Sequence, residues 1–162
     1  MSGPGLVVTL DDAPGGAADG TNSDPRSGSG TDKGTVLAAD VQIVTNALWR
    51  SGAEAIAVNG QRLSSRSAIR FAGSAILVNF RPLTRPYVIT ALGDPDSMTA
   101  DFVGGDGGAY LAALHANFGI IVTTTTQSNL RVPGATTLTV IRAKPVRSPT
   151  PTPSTSGQET QP

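Results

Sequence analysis

Few residues in this chain are able to carry chemistry, and they are unevenly placed. There is no cysteine, which excludes a thiol nucleophile, a thiolate metal site and a disulfide framework. His115 is the single histidine. An imidazole acting as a base needs an orienting carboxylate and a nucleophile beside it, and neither is identifiable. Asp11, Asp12, Asp94 and Asp96 follow apolar runs. If those runs were neighbouring strands, the carboxylates would supply the oxygen ligands a hard cation needs; as strand terminators and a helix cap they need no ion. Gly104-Gly105-Asp106-Gly107-Gly108 precedes a helical pattern and could cradle an anion on backbone N–H groups. It lacks the phosphate-loop lysine and the dinucleotide spacing, so a flexible hinge is the plainer reading. No Gly-X-Ser-X-Gly elbow occurs. The residues therefore name no catalytic group, no cofactor and no metal.

The one concentration of charge is basic. Arg62, Arg66, Arg70, Arg81 and Arg85 occur with no acid between Ala55 and Gly93, in a chain of zero net charge. Guanidinium groups displayed together suit an acidic partner surface, anionic lipid headgroups or a polyphosphate. The plainer reading is a solvated sheet face whose Arg stems cover apolar surface. Arg66 and Arg70 share a face if one strand runs unbroken through both, while Arg62 and Arg85 lie on turns. Nucleic acid is disfavoured, because the aromatics are few (4%) and do not interleave with the bases.

These side chains hang on a readable set of elements. Leu37, Val41, Val44 and Leu48 fall on one helical face, with Ile43 and Ala47 widening the stripe. Thr35 is the expected N-cap, Asp40 lies near the positive helix end, and Gly52 is the left-handed stop. Trp49 is expected at the rim of the packed face. Ala53 to Val58 reads as a strand, and Asn59-Gly60 as a tight hairpin turn, since both residues tolerate positive φ. Gly5 to Leu10 reads as a central strand. Ala68 to Ala72 and Ala75 to Asn79 form a hairpin about Gly73-Ser74, and Tyr87 to Gly93 is another strand. Asp94-Pro95 is an N-cap with proline in the first turn of a short helix reaching about Phe102. Tyr110, Leu111, Leu114 and Phe118 predict a helix ending at Asn117 to Gly119. Ile120 to Thr126 and Thr136 to Arg142 are rich in β-formers, with Pro133-Gly134 between them.

That order predicts an α+β fold, a ferredoxin-like two-layer sandwich with one mainly antiparallel sheet and the helices on one face. A single domain over 3–144 is expected, with 13–34 as a flexible loop and 145–162 as a disordered Pro/Ser/Thr-rich tail. Residues 1–61 carry seven acids and three bases, and 62–162 carry five acids and nine bases, so polarity is divided along the chain. No apolar run is long enough to span a membrane. Met1-Ser2 leads straight into Gly3-Pro4-Gly5 and a strand, so the expectation is a chain cut at a domain edge, any anchor removed.

GPGLVVTLDD at the start, LWRSGAEAIAVNGQRLSSRSAIR in the middle and YVITALGDP further on together resemble the bacterial family called domain of unknown function 881, over about Gly3 to Lys144. The resemblance implies a protein held in the cytoplasmic membrane by an N-terminal helix, then a coiled coil, then this domain outside the membrane. It implies a link to cell division or envelope assembly, and it brings no catalytic residue. Phe71 stands where some relatives have Cys. The resulting expectation is a non-enzymatic protein–protein interaction domain, with Arg62, Arg66, Arg70, Arg81 and Arg85 as its patch. Its partners would be envelope or membrane proteins or an anionic surface, not nucleic acid, with homo-oligomerisation through the implied coiled coil. A small-ligand or lipid-headgroup sensor is the alternative.

Overall fold

The computed structural model describes residues 1–15, 34–73 and 75–134. The chain begins in β1 (Ser2–Asp11) and enters α1 (Ala38–Arg50). Six strands follow: β2 (Ala55–Val58), β3 (Gln61–Arg62), β4 (Ile69–Ala72), β5 (Ala75–Val78), β6 (Arg81–Pro82) and β7 (Tyr87–Leu92). Then come α2 (Pro95–Met98), continued by a π turn over Thr99–Val103, α3 (Asp106–Phe118) and β8 (Ile121–Arg131). Most of the expected 13–34 loop, the Thr136 to Arg142 strand and the 145–162 tail lie outside the described residues. At the loop's described ends the Ala13 N–H donates to the Gly34 carbonyl at 2.8 Å.

Among the described residues the fold is α+β with antiparallel sheets and three α-helices. The expectation of one sheet is corrected: there is a five-stranded sheet in the order β3-β2-β7-β1-β8 and a separate three-stranded sheet in the order β4-β5-β6. Every described pairing is antiparallel. Alternation along the strands sorts side chains to two faces. Leu6, Val8 and Leu10 of β1 stand opposite Ala91, Ile89 and Tyr87 of β7, and all are buried in the main core. Val41, Val44 and Leu48 of α1, Phe102, and Leu111 and Leu114 of α3 fill that same core. The other sheet face holds only a small cluster built on Ala55, Ala57, Leu92, Leu130 and Val132. The helices thus cover one face.

Helix α1 departs from expectation at its start. Leu37 occupies the cap position, and the orphan backbone donors are served from inside the helix: the Asp40 carboxylate accepts the Leu37 N–H at 2.7 Å. Asp40 is fully buried and also accepts the Tyr110 hydroxyl at 2.6 Å, tying α1 to α3. Ile43 is exposed rather than part of the stripe, because two residues on from Val41 it falls about 200° around the helix, away from the buried face. Gly52 takes φ 88° as expected, and Asp94 caps α2 by accepting from both the backbone and the hydroxyl of Ser97. Strand β8 runs further than its apolar residues require. Thr126 to Arg131 continue it because β1 offers backbone partners back to Ser2, with an irregularity between Gly3 and Gly5.

A repeat is built into the strands. Ala55 to Leu63 reads AIAVNGQRL, and Ala75 to Leu83 reads AILVNFRPL. Both segments fold alike. Asn59 and Gly60 turn at φ 45° and 74°, Asn79 and Phe80 at φ 52° and 66°. The Leu63 N–H reaches the Ile56 carbonyl at 2.9 Å, and the Leu83 N–H reaches the Ile76 carbonyl at 2.8 Å. The first hairpin joins the main sheet, while the second forms most of the smaller one.

Candidate functional site

The five arginines do not share one surface. Arg85 leaves the set: its guanidinium pairs with the Asp12 carboxylate, whose side chain is 1% exposed against 49% for Arg85. That hydrogen bond and charge raise the Arg85 pKa above its usual value. The other Asp12 oxygen accepts the Val36 N–H at 2.8 Å, so Asp12 fastens the end of β1 to the entry of α1 and to the corner before β7. Arg62 lies opposite Ala57 on the face away from the helices, within 3.5 Å of the Pro133 carbonyl and 3.3 Å of the Met1 sulfur. Arg66 sits on the turn before β4, where the Ser64 and Ser67 hydroxyls organise the backbone. No strand runs unbroken from Arg66 to Arg70. Arg70 and Arg81 pair across β5 with Leu77 and Val78, which places them on opposite faces of the small sheet.

Aromatic residues complete what remains. Phe80 is 82% exposed and Phe71 54% exposed, and the Arg70 guanidinium lies 6.0 Å from the Phe80 ring centre. A bulky side chain at positive φ is strained, and Gly60 holds the matching position in the first hairpin without that strain. Among the described residues no carboxylate lies in ion-pair range of Arg66, Arg70 or Arg81. Sequence reasoning missed Phe80 because an aromatic in a turn gives no periodic signal; the Asn-containing repeat was the clue to its place.

A groove of about 380 Å³ opens beside this sheet, between the outer face of α1 and the segment from Leu63 to Arg70. Trp49 forms one wall, as a rim residue 38% exposed. The Gln42 amide nitrogen crosses to the Ile69 carbonyl at 2.6 Å and anchors the far side.

The remaining candidates resolve into structural roles. Because β1 and β7 are antiparallel, Asp11 and Asp12 lie near Tyr87, while Asp94 lies at the opposite end of the sheet, where Gly93 donates to the Pro4 carbonyl. The four carboxylates cannot gather, and no cluster of three metal-binding side chains occurs among the described residues. The glycine run is not a loop throughout, since Asp106 to Gly108 form the first turn of α3. A Cβ on Gly107 would sit 2.5 Å from the Phe102 ring, and one on Gly108 would sit 1.9 Å from the Val103 carbonyl oxygen. Close packing of the π turn on α3 explains both. Arg50 faces that helix start across a groove of about 290 Å³ whose lining includes Asp101 and Asp106, carboxylates that oppose an anion. His115 is exposed, its Nδ1 3.1 Å from the Ile120 carbonyl at the helix end. Tyr87 has its pKa raised, first by burial and then by the Asp12 charge.

A family model described as "Bacterial protein of unknown function (DUF881)" matches residues 1–144. The UPF0749 protein Rv1823 of Mycobacterium tuberculosis is 38% identical over 144 residues, 89% of this chain and 46% of that protein. The UPF0749 protein YlxW of Bacillus subtilis is 35% identical over 96 residues, 59% of this chain and 38% of its own length. The chain therefore spans about half, or less, of the curated relatives it matches. An uncharacterised conserved protein from Mycobacterium tuberculosis, solved by crystallography, shares the fold with a TM-score of 0.64, at 22% identity over 90% of each chain.

Proposed function

The chain belongs to the bacterial DUF881 family, whose function is unknown, and from that premise we propose a non-enzymatic interaction domain that contacts an acidic protein surface through its small sheet. The observation that carries the reading is Phe80, exposed and strained beside Arg70 where the twin hairpin has glycine. Exposed aromatic and arginine side chains are the residues most often dominant in protein interfaces, and backbone strain at an exposed residue accompanies functional sites. The patch is thereby narrowed from five arginines to Arg70 with Phe80, on the sheet face opposite Arg81 and Phe71, and to Arg66 on the turn before β4. The family resemblance supports placing the domain outside the bacterial cytoplasmic membrane, in a longer protein anchored there, with a role in division or envelope assembly. No helix among the described residues is long and apolar enough to cross a membrane. We read the order β8-β1-β7-β2 as a ferredoxin-like sandwich, with β3 to β6 inserted between its second and third strands.

Capture of partners from bacterial membranes tests the reading. Arg66→Glu/Arg70→Glu and Phe80→Gly proteins should fold normally and lose the wild-type partner, and wild-type capture should weaken as salt rises. Unchanged capture by both variants refutes the surface. A second reading, a small-ligand sensor, is favoured by the groove beside Trp49.

A further inference from the structure

We propose that the groove between α1 and the segment from Leu63 to Arg70 binds a carboxylate-bearing saccharide; this rests on the small-ligand reading and names its ligand. The groove's volume, about 380 Å³, lies at the small end of ligand sites, which run from roughly 300 to 1,000 Å³. Half of its lining residues are polar and neutral: Gln42, Thr45 and Asn46 from α1, Ser64 and Ser67 from the turn. The Gln42 nitrogen is spent on Ile69 and each serine hydroxyl accepts one backbone N–H, but the remaining amide and hydroxyl valences offer donors and acceptors together, which matches the alternating demands of sugar hydroxyls.

Three features sharpen the class. Trp49 gives the groove one aromatic wall, and the apolar face of an indole packs against the C–H face of a pyranose ring while its N–H stays free for a polar contact. Thr45 also lines the groove; it is 3% exposed, and its hydroxyl has no hydrogen-bond partner among the described residues. A buried hydroxyl left unmade costs stability, and a ligand hydroxyl would satisfy it. Arg70 is the one basic residue of the lining, its guanidinium 6.0 Å from the Phe80 ring centre, and no lining residue is acidic. One planar guanidinium matches one carboxylate in a two-pronged pair. A phosphate group is less well served, with one cation and no cluster of backbone donors.

Trp49 is the chain's only tryptophan, so its fluorescence reports on the groove directly. The full chain would be titrated with a tetrasaccharide alternating glucuronic acid and N-acetylglucosamine, with the neutral N-acetylglucosamine tetramer, and with inorganic phosphate. A saturable change is expected with the acidic sugar, about tenfold weaker binding with the neutral one, as befits one charge-assisted pair, and no response to phosphate. Arg70→Gln should lower the acidic sugar to the neutral sugar's affinity. Thr45→Val should weaken binding of the acidic sugar by calorimetry while leaving the urea midpoint unchanged or raised, an outcome that loss of folding does not produce. Silence toward both sugars overturns the proposal along with the small-ligand reading. Equal affinity for the neutral tetramer overturns the carboxylate assignment alone, and a response to phosphate as strong as to the acidic sugar overturns the saccharide. Loss of membrane-partner capture by Arg66→Glu, which lies outside the groove lining, reports on the protein-interaction reading separately.

Discussion

Replacing Asp12 by alanine tests the joint on which three segments depend. Its carboxylate is buried, accepts the Val36 N–H at 2.8 Å and pairs with Arg85. Alanine leaves a buried backbone donor unmade, which costs about 1–3 kcal/mol. The ion pair adds less, about 0–1 kcal/mol, because Arg85 is half in water. The expected loss is roughly 1–4 kcal/mol, a large share of the roughly 5–15 kcal/mol that holds a typical domain. With a mid-range urea slope of about 2 kcal/mol per molar, the unfolding midpoint should fall by roughly 0.5–2 M. Asparagine keeps the acceptor for Val36 and turns an N–H toward the guanidinium, so Asp12→Asn should lose less than Asp12→Ala. Hydrogen exchange at the Val36 amide should speed up in the alanine variant before the rest of the core opens. An alanine variant whose midpoint lies within about 0.3 M of the parent, with Val36 still protected, refutes the reasoning.

Gly108→Ala should destabilise by about 1–3 kcal/mol, since its Cβ would press on the Val103 carbonyl; a thermal melt equal to wild type would return the glycine run to the status of a hinge. Stability should decline as pH rises from the ordinary tyrosine value of 10.0 through the raised value of folded Tyr87, because the unfolded chain loses that proton first. The same decline measured in Tyr87→Phe would assign it elsewhere. The Asp94 carboxyl, held down first by the Ser97 hydroxyl and then by its backbone N–H, should titrate below its ordinary value by NMR. Its contribution is present above the unfolded value and fades as pH falls through the folded one. Ser97→Ala should move the midpoint up, and no movement would contradict the cap.

Local signals carried much of the fold. Asn59-Gly60, Asp94-Pro95 and the Val41, Val44, Leu48 stripe each depend on neighbours within a few residues, and each appears where the spacing places it. What failed was long-range. Thr35 looked like a cap because nothing local reveals that Asp40 turns back to the Leu37 N–H and is held there by Tyr110, seventy residues away. Arg85 looked like a free cation because its carboxylate lies 73 residues earlier. Arg70 and Arg81 looked alike until strand register put them on opposite faces. The groove was illegible for the same reason, since its walls come from α1 and from a turn well downstream.

The twin hairpins also set a problem for the folding chain. AIAV and AILV are alike enough that either could offer itself to β7 during collapse, and only one can occupy the place beside it. Side-chain volume separates them. In the native pairing Ala57 stands opposite Thr90, so the second segment would press Leu77 into that position. A competitor separated from the native pairing by a few such contacts is a source of kinetic traps. The difference between the two copies at Ala57/Leu77 therefore bears on the order of assembly as well as on the finished structure.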